Sequence, residues 1–421
     1  MTLAQDLAVT ARALSHTTER GTRRGGAGYY LPALFADRFS LMGGLDKQLF
    51  TDQLAACRTF EDDGWTTYWN ALADERIAVV DRHLREQGAP SLAELLSADH
   101  DAAATELARV LGAAASAFAG AGEAGATEDD ASAALTAWIA AITYTFAAAW
   151  PGWTPARLEA YRRSRALFEL LLHGLSAPLG VVVEHLDMSV DGHRSSAIVV
   201  LPAGDDVVPG VLVSNGLEGT VQELLLPLLR YRDRRLAVLV TEMPGTYLDR
   251  VPMSAASSAV YSTLIDRMAA HPRIDAERIA MVGFSFGAHW AARMAAQDRR
   301  LRAVVANGGL LHRSFRPSAV WGMPEIMLST LEHTTGAPHP WAMALRLHRL
   351  SLRRRYGAIT APLLVINGER DTLASTRDSI DLAAAAPFGE LVLYPDDDHC
   401  AMGHYHQWLD LTIDWLERQL R

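Results

Sequence analysis

Ile279-Ala280-Met281-Val282-Gly283-Phe284-Ser285-Phe286-Gly287 is the stretch on which the reading of the fold turns. The apolar run at its start suits a buried strand. The residues that follow, His289-Trp290-Ala291-Ala292-Arg293-Met294-Ala295, suit a helix. A serine at such a junction sits on a sharp strand-to-helix turn with its hydroxyl pushed into the open. Glycines two residues to either side are required because side chains there would strike the neighbouring strand and helix. The helix N-terminus also offers backbone N–H groups to developing negative charge. Alone, G-x-S-x-G is a weak signal that any glycine-rich turn can carry, so its partner residues decide the matter.

Outward from this turn, the second part of the chain alternates short β-rich runs with helices. The runs are 181–190 and 197–201, joined as an antiparallel hairpin through Asp191-Gly192, then 211–213, 236–240, 279–282, 303–306, 363–366 and 391–393. Helical segments near 220–231, 254–270, 286–297, 374–386 and 404–420 separate most of them. Such alternation predicts a mostly parallel sheet with helices on both faces. Between Gly309 and Tyr356 the rhythm breaks, with Pro317, Trp321, Pro324, Pro340 and Trp341 in a longer insertion (310–356). That insertion is expected over the carboxyl ends of the strands, where such sheets bind ligands.

Upstream the pattern is helical from about Leu31 to Leu175, with Leu92, Leu95, Leu96 and then Leu107, Val110, Leu111 at three-to-four-residue spacing. Residues 1–30, containing Arg23-Arg24-Gly25-Gly26-Ala27-Gly28, are expected to fray. The predicted organisation is an N-terminal helical cap or lid over 1–178 and an α/β catalytic unit over 179–421.

The chain has 421 residues, 49% hydrophobic and 21% charged, as in an ordinary globular protein. Its formal charge of -10 argues against nucleic acid as a partner. Two cysteines, Cys57 and Cys400, fit no metal spacing and cannot staple a chain of this size, so a cytoplasmic location is expected. No basic segment followed by an apolar core and cleavage site marks a signal peptide at the N-terminus. Ala131 to Ala156 carries no charge, but its threonines and Pro151-Gly152 favour a buried helix over a membrane span.

A serine hydroxyl is a poor nucleophile until a base takes its proton, and that base needs a third group to fix its tautomer. The run 363–366 leads into Asn367-Gly368-Glu369-Arg370-Asp371, which places Asp371 as the acid, with Glu369 as its rival. The run 391–393 leads into Asp396-Asp397-Asp398-His399, which places His399 as the base. Serine, acid and histidine in this order, each after its own strand, are the arrangement of an α/β-hydrolase fold. The oxyanion hole is expected from the N–H of Phe286 and, in the loop Ser214-Asn215-Gly216-Leu217-Glu218-Gly219, from the N–H of Leu217. Gly216 allows close approach there. Glu218 is out of place beside a forming oxyanion, unless it is protonated or contacts the substrate; the plainer reading is a solvent-facing acid. Phe284 and Trp321 complete the expected substrate contacts. His399, His404 and His406 could be imagined as metal ligands, but the triad role already accounts for His399, and no metal or cofactor is implied.

Asn215-Gly216-Leu217-Glu218, Gly283-Phe284-Ser285-Phe286-Gly287, Asn307-Gly308-Gly309 and Asp397-Asp398-His399-Cys400 resemble the corresponding stretches of the 2,6-dihydroxypseudooxynicotine hydrolase family. Its relatives include the fermentation/respiration-switch-type esterases and fungal polyketide-shortening hydrolases. The resemblance covers about 180–421. It implies a helical domain closing over an α/β-hydrolase core, and cleavage of an ester or of a carbon–carbon bond next to a ketone. It also implies Ser285 as nucleophile, Asp371 as acid, His399 as base and Glu218 as an extra carboxylate handling the substrate carbonyl or hydroxyl. The family's glycine-rich turn appears here as Glu242-Met243-Pro244-Gly245-Thr246-Tyr247, so the pocket wall is expected to differ.

A serine hydrolase acting on a small-molecule carbonyl compound is therefore the leading reading. Acyl transfer or cyclisation through the same acyl-serine is the alternative, and a non-catalytic binding module is the third. No membrane partner is expected. A homodimer is left open, as is an acidic carrier protein met by Arg346, Arg349, Arg353, Arg354 and Arg355, although a solvated helix face explains that run more simply.

Overall fold

A computed structural model describes residues 3–120, 130–316 and 323–421. Pro317 and Trp321 lie outside the described residues. The sheet has eight strands: β1 (Val181–Val190), β2 (His193–Pro202), β3 (Val208–Ser214), β4 (Ala237–Thr241), β5 (Ile274–Phe284), β6 (Leu301–Asn307), β7 (Leu363–Gly368) and β8 (Gly389–Tyr394). Their order is β1-β2-β4-β3-β5-β6-β7-β8; the β1–β2 and β2–β4 pairs are antiparallel and all others parallel. Asp191 and Gly192 both take positive φ at the first hairpin, which matches the right-handed twist of the strands they join. Nearly every residue of β3, β6 and β7 is buried, because helices cover both faces; β1 and β8, at the edges, are half exposed. This is an α/β-hydrolase fold.

Register fixes where the strands end. Ser214 pairs with Gly283, Phe284 with Asn307, Asn307 with Ile366 and Gly368 with Tyr394. The loops leaving β3, β5, β6, β7 and β8 therefore emerge along one edge of the sheet, and every predicted site residue within the described segments belongs to that edge.

Helices occupy the chain before β1. Asp62–Glu86, His100–Gly120, Asp130–Ala149 and Pro155–Ser176 are the long ones. Asp130–Ala149 is long and apolar enough to cross a membrane, yet 78% of its most apolar stretch is buried inside the protein. The Trp65 indole N–H donates to Ala147 O at 2.8 Å, Trp138 to Leu167 O at 3.1 Å, and Phe39, Phe50 and Phe146 stack around the helix end. One apolar cluster runs from Leu107, Trp138, Phe168 and Leu171 into Val200, Val211, Val282 and Trp408, so these helices share a core with one face of the sheet.

Within the stretch expected to fray, the described residues 3–30 are ordered instead. Helices Leu3–Leu14 and Thr18–Gly25 form. Ala27 N–H donates to Cys57 O at 2.8 Å, and the Glu19 carboxylate accepts from Phe60 N–H at 2.8 Å and the Thr59 hydroxyl at 2.7 Å. Long-range partners of this kind leave no periodic trace in sequence.

The loop after β6 is held by one carboxylate. Asp378, almost wholly buried, accepts from the N–H groups of Leu311 (3.1 Å), His312 (3.0 Å), Arg313 (2.8 Å) and Ser314 (3.0 Å) and from the Ser314 hydroxyl (2.8 Å). Asp378→Ala strands those amides without an acceptor, and a loss of about 3 kcal/mol is expected in chemical denaturation. A loss below about 1 kcal/mol would mean that the loop re-pairs unaided.

Candidate active site

β5 ends at Phe284 and the helix Phe286–Ala295 begins at once, which leaves Ser285 at φ 55°, ψ −120°. Ser285 N–H donates to Asn307 O at 2.7 Å and holds this turn against β6. A Cβ on Gly283 would lie 2.1 Å from Gly287 O, and one on Gly287 would lie 2.3 Å from Ser214 O. Helix and strand thus approach as closely as the motif requires.

His399 lies on the loop after β8, and its Nε2 is 2.8 Å from Ser285 Oγ. Its Nδ1 is 2.9 Å from Asp371 Oδ2, on the loop after β7. The Asp371 side chain is 0% exposed; it also accepts from the Asn367 amide (2.8 Å) and from the N–H groups of Leu373 (2.8 Å) and Ala374 (2.7 Å). Neutral His399 therefore carries its proton on Nδ1 and presents the Nε2 lone pair to the serine. Glu369 is exposed and plays no part in this chain. Burial is the largest single influence and opposes a charge on His399, but the Asp371 carboxylate and the Cys400 sulfur together outweigh it and raise the imidazole pKa well above the ordinary value.

The histidine loop is pinned from several sides. Asp398 accepts from His399 N–H and Thr372 N–H, each at 2.7 Å. Asp397 accepts from Gly403 N–H at 3.0 Å and the His404 ring at 2.7 Å, which accounts for His404 as a loop fastener. Cys400 and Ala401 both take positive φ, and Gly308 opposite them has φ 68°. A Cβ there would meet Cys400 Sγ at 2.4 Å and His399 Cε1 at 3.1 Å, so no larger residue fits beside the imidazole.

The loop after β3 closes the other side. A Cβ on Gly216 would lie 2.7 Å from Ser285 Cβ. Phe286 N–H, in the first turn of its helix, has no intrahelical acceptor. Leu217 N–H has no backbone or side-chain acceptor among the described residues. Neither N–H is spent on a backbone acceptor among the described residues.

Glu218 is not the solvent-facing acid of the plainer reading. It has φ 56° and is 1% exposed. Its Oε2 accepts from Gly152 N–H at 2.7 Å, while its Oε1 is buried without a partner. Its backbone carbonyl takes the Tyr247 hydroxyl at 2.8 Å and Arg38 at 3.3 Å. Burial raises its pKa to about 7, with the Glu242 charge adding to the rise and Gly152, Arg38 and Arg157 opposing it. At neutral pH such a carboxyl can donate a hydrogen bond or a proton as well as accept one.

Several neighbours of this site have no sequence signature. Arg38, from the helical half, is paired with Glu223 and lies over the Phe146 ring at 5.3 Å. Tyr247 stacks on Tyr161 at 4.3 Å, and Tyr161 donates to Glu242, so the turn that departs from the family pattern is spent on fastening helices to sheet. Asn367 bridges Asp371 to the histidine loop, accepting from Cys400 N–H at 3.1 Å. Asn367 alone had a cue, since it ends a strand next to the acid. Phe284 is a core residue, its ring 5.4 Å from Trp408. Arg349, Arg353, Arg354 and Arg355 are exposed.

A second serine–histidine–aspartate chain exists. His193 Nδ1 is 2.6 Å from Asp249 Oδ2, and its Nε2 is 3.1 Å from Ser257 Oγ. All three side chains are buried, and Ser257 Oγ already accepts from Ser254 N–H at 3.0 Å. It fastens the loop after β4 to the first hairpin. Ser257→Ala is expected to cost about 1–2 kcal/mol of stability and to leave kcat unchanged; a proportional fall in kcat would give this chain a chemical role.

A model of the family described as esterase FrsA-like matches residues 117–421. The chain belongs to the FrsA-like esterase family. It is 25% identical over 254 residues to esterase FrsA of Photobacterium profundum, covering 56% of this chain and 59% of the relative. The match to esterase FrsA of Escherichia coli K12 is 25% over 304 residues, covering 70% and 72%. Against the Photobacterium and Vibrio cholerae members of the family, the chain spans about three-fifths of their length. Two solved structures share the fold. One is 2,6-dihydroxy-pseudo-oxynicotine hydrolase, 19% identical, TM-score 0.66, covering 91% of this chain and 95% of that one. The other is AbyA5, 24% identical, TM-score 0.59, covering 68% and 84%.

Proposed function

We propose that this FrsA-like chain is a serine hydrolase that cleaves an ester, or a carbon–carbon bond next to a ketone, through an acyl-serine. The observation that carries the reading is the unbroken hydrogen-bonded chain from Ser285 through His399 to Asp371. His399 Nε2 takes the Ser285 proton as Oγ attacks the carbonyl carbon. The N–H groups of Phe286 and Leu217 hold the oxyanion, and Asp371 stabilises the imidazolium. Collapse breaks the bond to the leaving group, an alkoxide or a stabilised carbanion, which takes a proton from His399, or from Glu218, in which case His399 loses its own proton to solvent and Glu218 regains one from solvent before water attacks. Water, deprotonated by His399, then releases the acid and restores the hydroxyl.

Glu218 favours a substrate with a second polar group beside the scissile bond, because a buried oxygen without a partner seeks one. The substrate class we propose, on the resemblance of the catalytic motifs, is an aromatic or polyketide-like metabolite of moderate size. The esterase name of the curated relatives supports the ester reading.

A fluorophosphonate probe followed by peptide mass spectrometry is expected to place the adduct on Ser285. An adduct on Ser257 alone, or none, would remove the proposal. With a turned-over substrate, a product heavier by one water indicates hydrolysis; a product without that gain assigns acyl transfer or cyclisation instead.

A further inference from the structure

The loop that carries Leu217 is held by a side chain from the helical half. Arg38, on the helix Leu34–Leu41, lies 180 residues before Glu218, yet its Nη2 donates to Glu218 O at 3.3 Å. Both Nε and Nη2 also donate to the Glu223 carboxylate, the second at 2.6 Å. Glu223 Oε2 in turn accepts from Asn215 Nδ2 at 3.0 Å. The same Asn215 amide donates to Thr220 O at 3.1 Å, and its Oδ1 accepts from Gly216 N–H at 2.8 Å. One guanidinium thus fixes Asn215, through Glu223, and Glu218 directly, and Leu217 lies between the two.

This hold is rigid for physical reasons. A guanidinium and a carboxylate joined by two parallel bonds allow one relative orientation. The Arg38 side chain is 17% exposed and that of Glu223 3%, so water has little room to replace either partner. The rings of Phe39 and Phe146 lie 5.9 Å and 5.3 Å from the guanidinium, so the helical half sets its position. Glu218 has φ 56°, which a residue with a side chain keeps only where its surroundings impose it. Arg38 and the Tyr247 hydroxyl, both donating to its carbonyl, impose it here. Inside the loop the Asn215 side chain leaves no free space, since a Cβ on Gly219 would lie 2.0 Å from Asn215 Cγ. The loop in turn presses on the nucleophile, with Gly216 closest to Ser285. The helix Leu34–Leu41 also packs against the 399–404 turn, so one element braces both loops that flank the serine.

We propose that Arg38 is a positioning residue for the oxyanion hole, setting the Leu217 N–H through Glu223, Asn215 and the Glu218 carbonyl. The inference rests on the acyl-serine reading and adds to it what the helical half contributes. An oxyanion donor acts only when it stands at hydrogen-bond distance from the oxygen that develops charge, so a loop released by a fraction of a bond length loses transition-state stabilisation and little substrate binding.

The test is steady-state kinetics of the full-length chain on an activated aryl ester, with kcat expressed per serine titrated by a fluorophosphonate. Arg38→Ala is expected to lower kcat about 10²-fold with KM within about threefold of wild type. Guanidinium chloride at millimolar concentration raises the kcat of that variant at least about tenfold, whereas sodium chloride at the same concentration does not. Arg38→Met combined with Glu223→Leu removes both charges together, which spares the fold an unpaired buried carboxylate. This double variant shows the same fall in kcat and no response to guanidinium, and it decides alone if Arg38→Ala does not fold. An aryl trifluoromethyl ketone, which adds to Ser285 as a tetrahedral oxyanion, loses about 10²-fold in affinity for both variants. A kcat within about threefold of wild type in the double variant, a loss seen only as a raised KM, or unaltered ketone affinity overturns the inference. Any of these in an enzyme whose wild type labels at Ser285 and turns over the ester leaves the acyl-serine reading standing. A wild type that does neither removes both.

Discussion

Ser285→Ala is expected to lower kcat/KM on an activated aryl ester by at least about 10⁴-fold and to leave the melting temperature within about 2 °C of wild type. The two effects separate because the variant removes a single oxygen. The Cβ that holds the strained turn stays, as do the Ser285 N–H bond to Asn307 and the close approaches at Gly283 and Gly287. What is lost is the attacking atom and the 2.8 Å partner of His399. The free donors at Phe286 and Leu217 and the binding surface remain, so a residual rate above the uncatalysed one is expected. A variant retaining more than about a tenth of wild-type kcat/KM would place the chemistry elsewhere.

Glu218→Gln is expected to divide the substrates. An expelled alkoxide can recover its proton from His399, whereas a carbanion released toward Glu218 needs the carboxyl proton, which an amide cannot give up. Carbon–carbon cleavage should fall by about 10²-fold or more, with simple aryl esters within about threefold of wild type. Equal losses on both classes would reduce Glu218 to a structural role.

The same variant has a stability signature. The Glu218 pKa rises from the ordinary carboxyl value of 4.5 to about 7 in the fold, so the folded chain holds this proton more tightly than the unfolded one. The stability this contributes is complete below the unfolded value and is lost as pH rises through the folded one, by up to about 3 kcal/mol. Glutamine mimics the neutral carboxyl at every pH and keeps an oxygen for Gly152 N–H. Relative to wild type, Glu218→Gln should therefore gain stability between about pH 5 and about pH 8. A difference that stays flat across that range would show that Glu218 ionises without cost.

All eight strands were legible as short β-rich runs, the central ones because a strand covered on both faces is apolar along most of its length. Asp371 and His399 were legible for a related reason: each follows a strand, and parallel strands deliver their carboxyl ends to one edge. Glu218 was visible as an anomaly, although its burial was not. The clasp around it was hidden altogether. Nothing in the spacing of Arg38, Gly152, Tyr161 and Tyr247 marks them as neighbours of Glu218. Asp378 and the buried Ser257–His193–Asp249 chain were hidden for the same cause, since both join residues far apart in sequence through contacts with no period.

What the sequence determined by itself was the order of strands and helices along the chain and the three side chains, Ser285, Asp371 and His399, that the fold links in one hydrogen-bonded row, since hydrophobic pattern and glycine placement act locally along the chain. What tertiary structure decided was the state of those groups. Only packing of the helical half onto the sheet edge buries Glu218 and leaves one of its oxygens unpaired. Desolvation and charge proximity are properties of atoms brought together in space, and no stretch of sequence carries them.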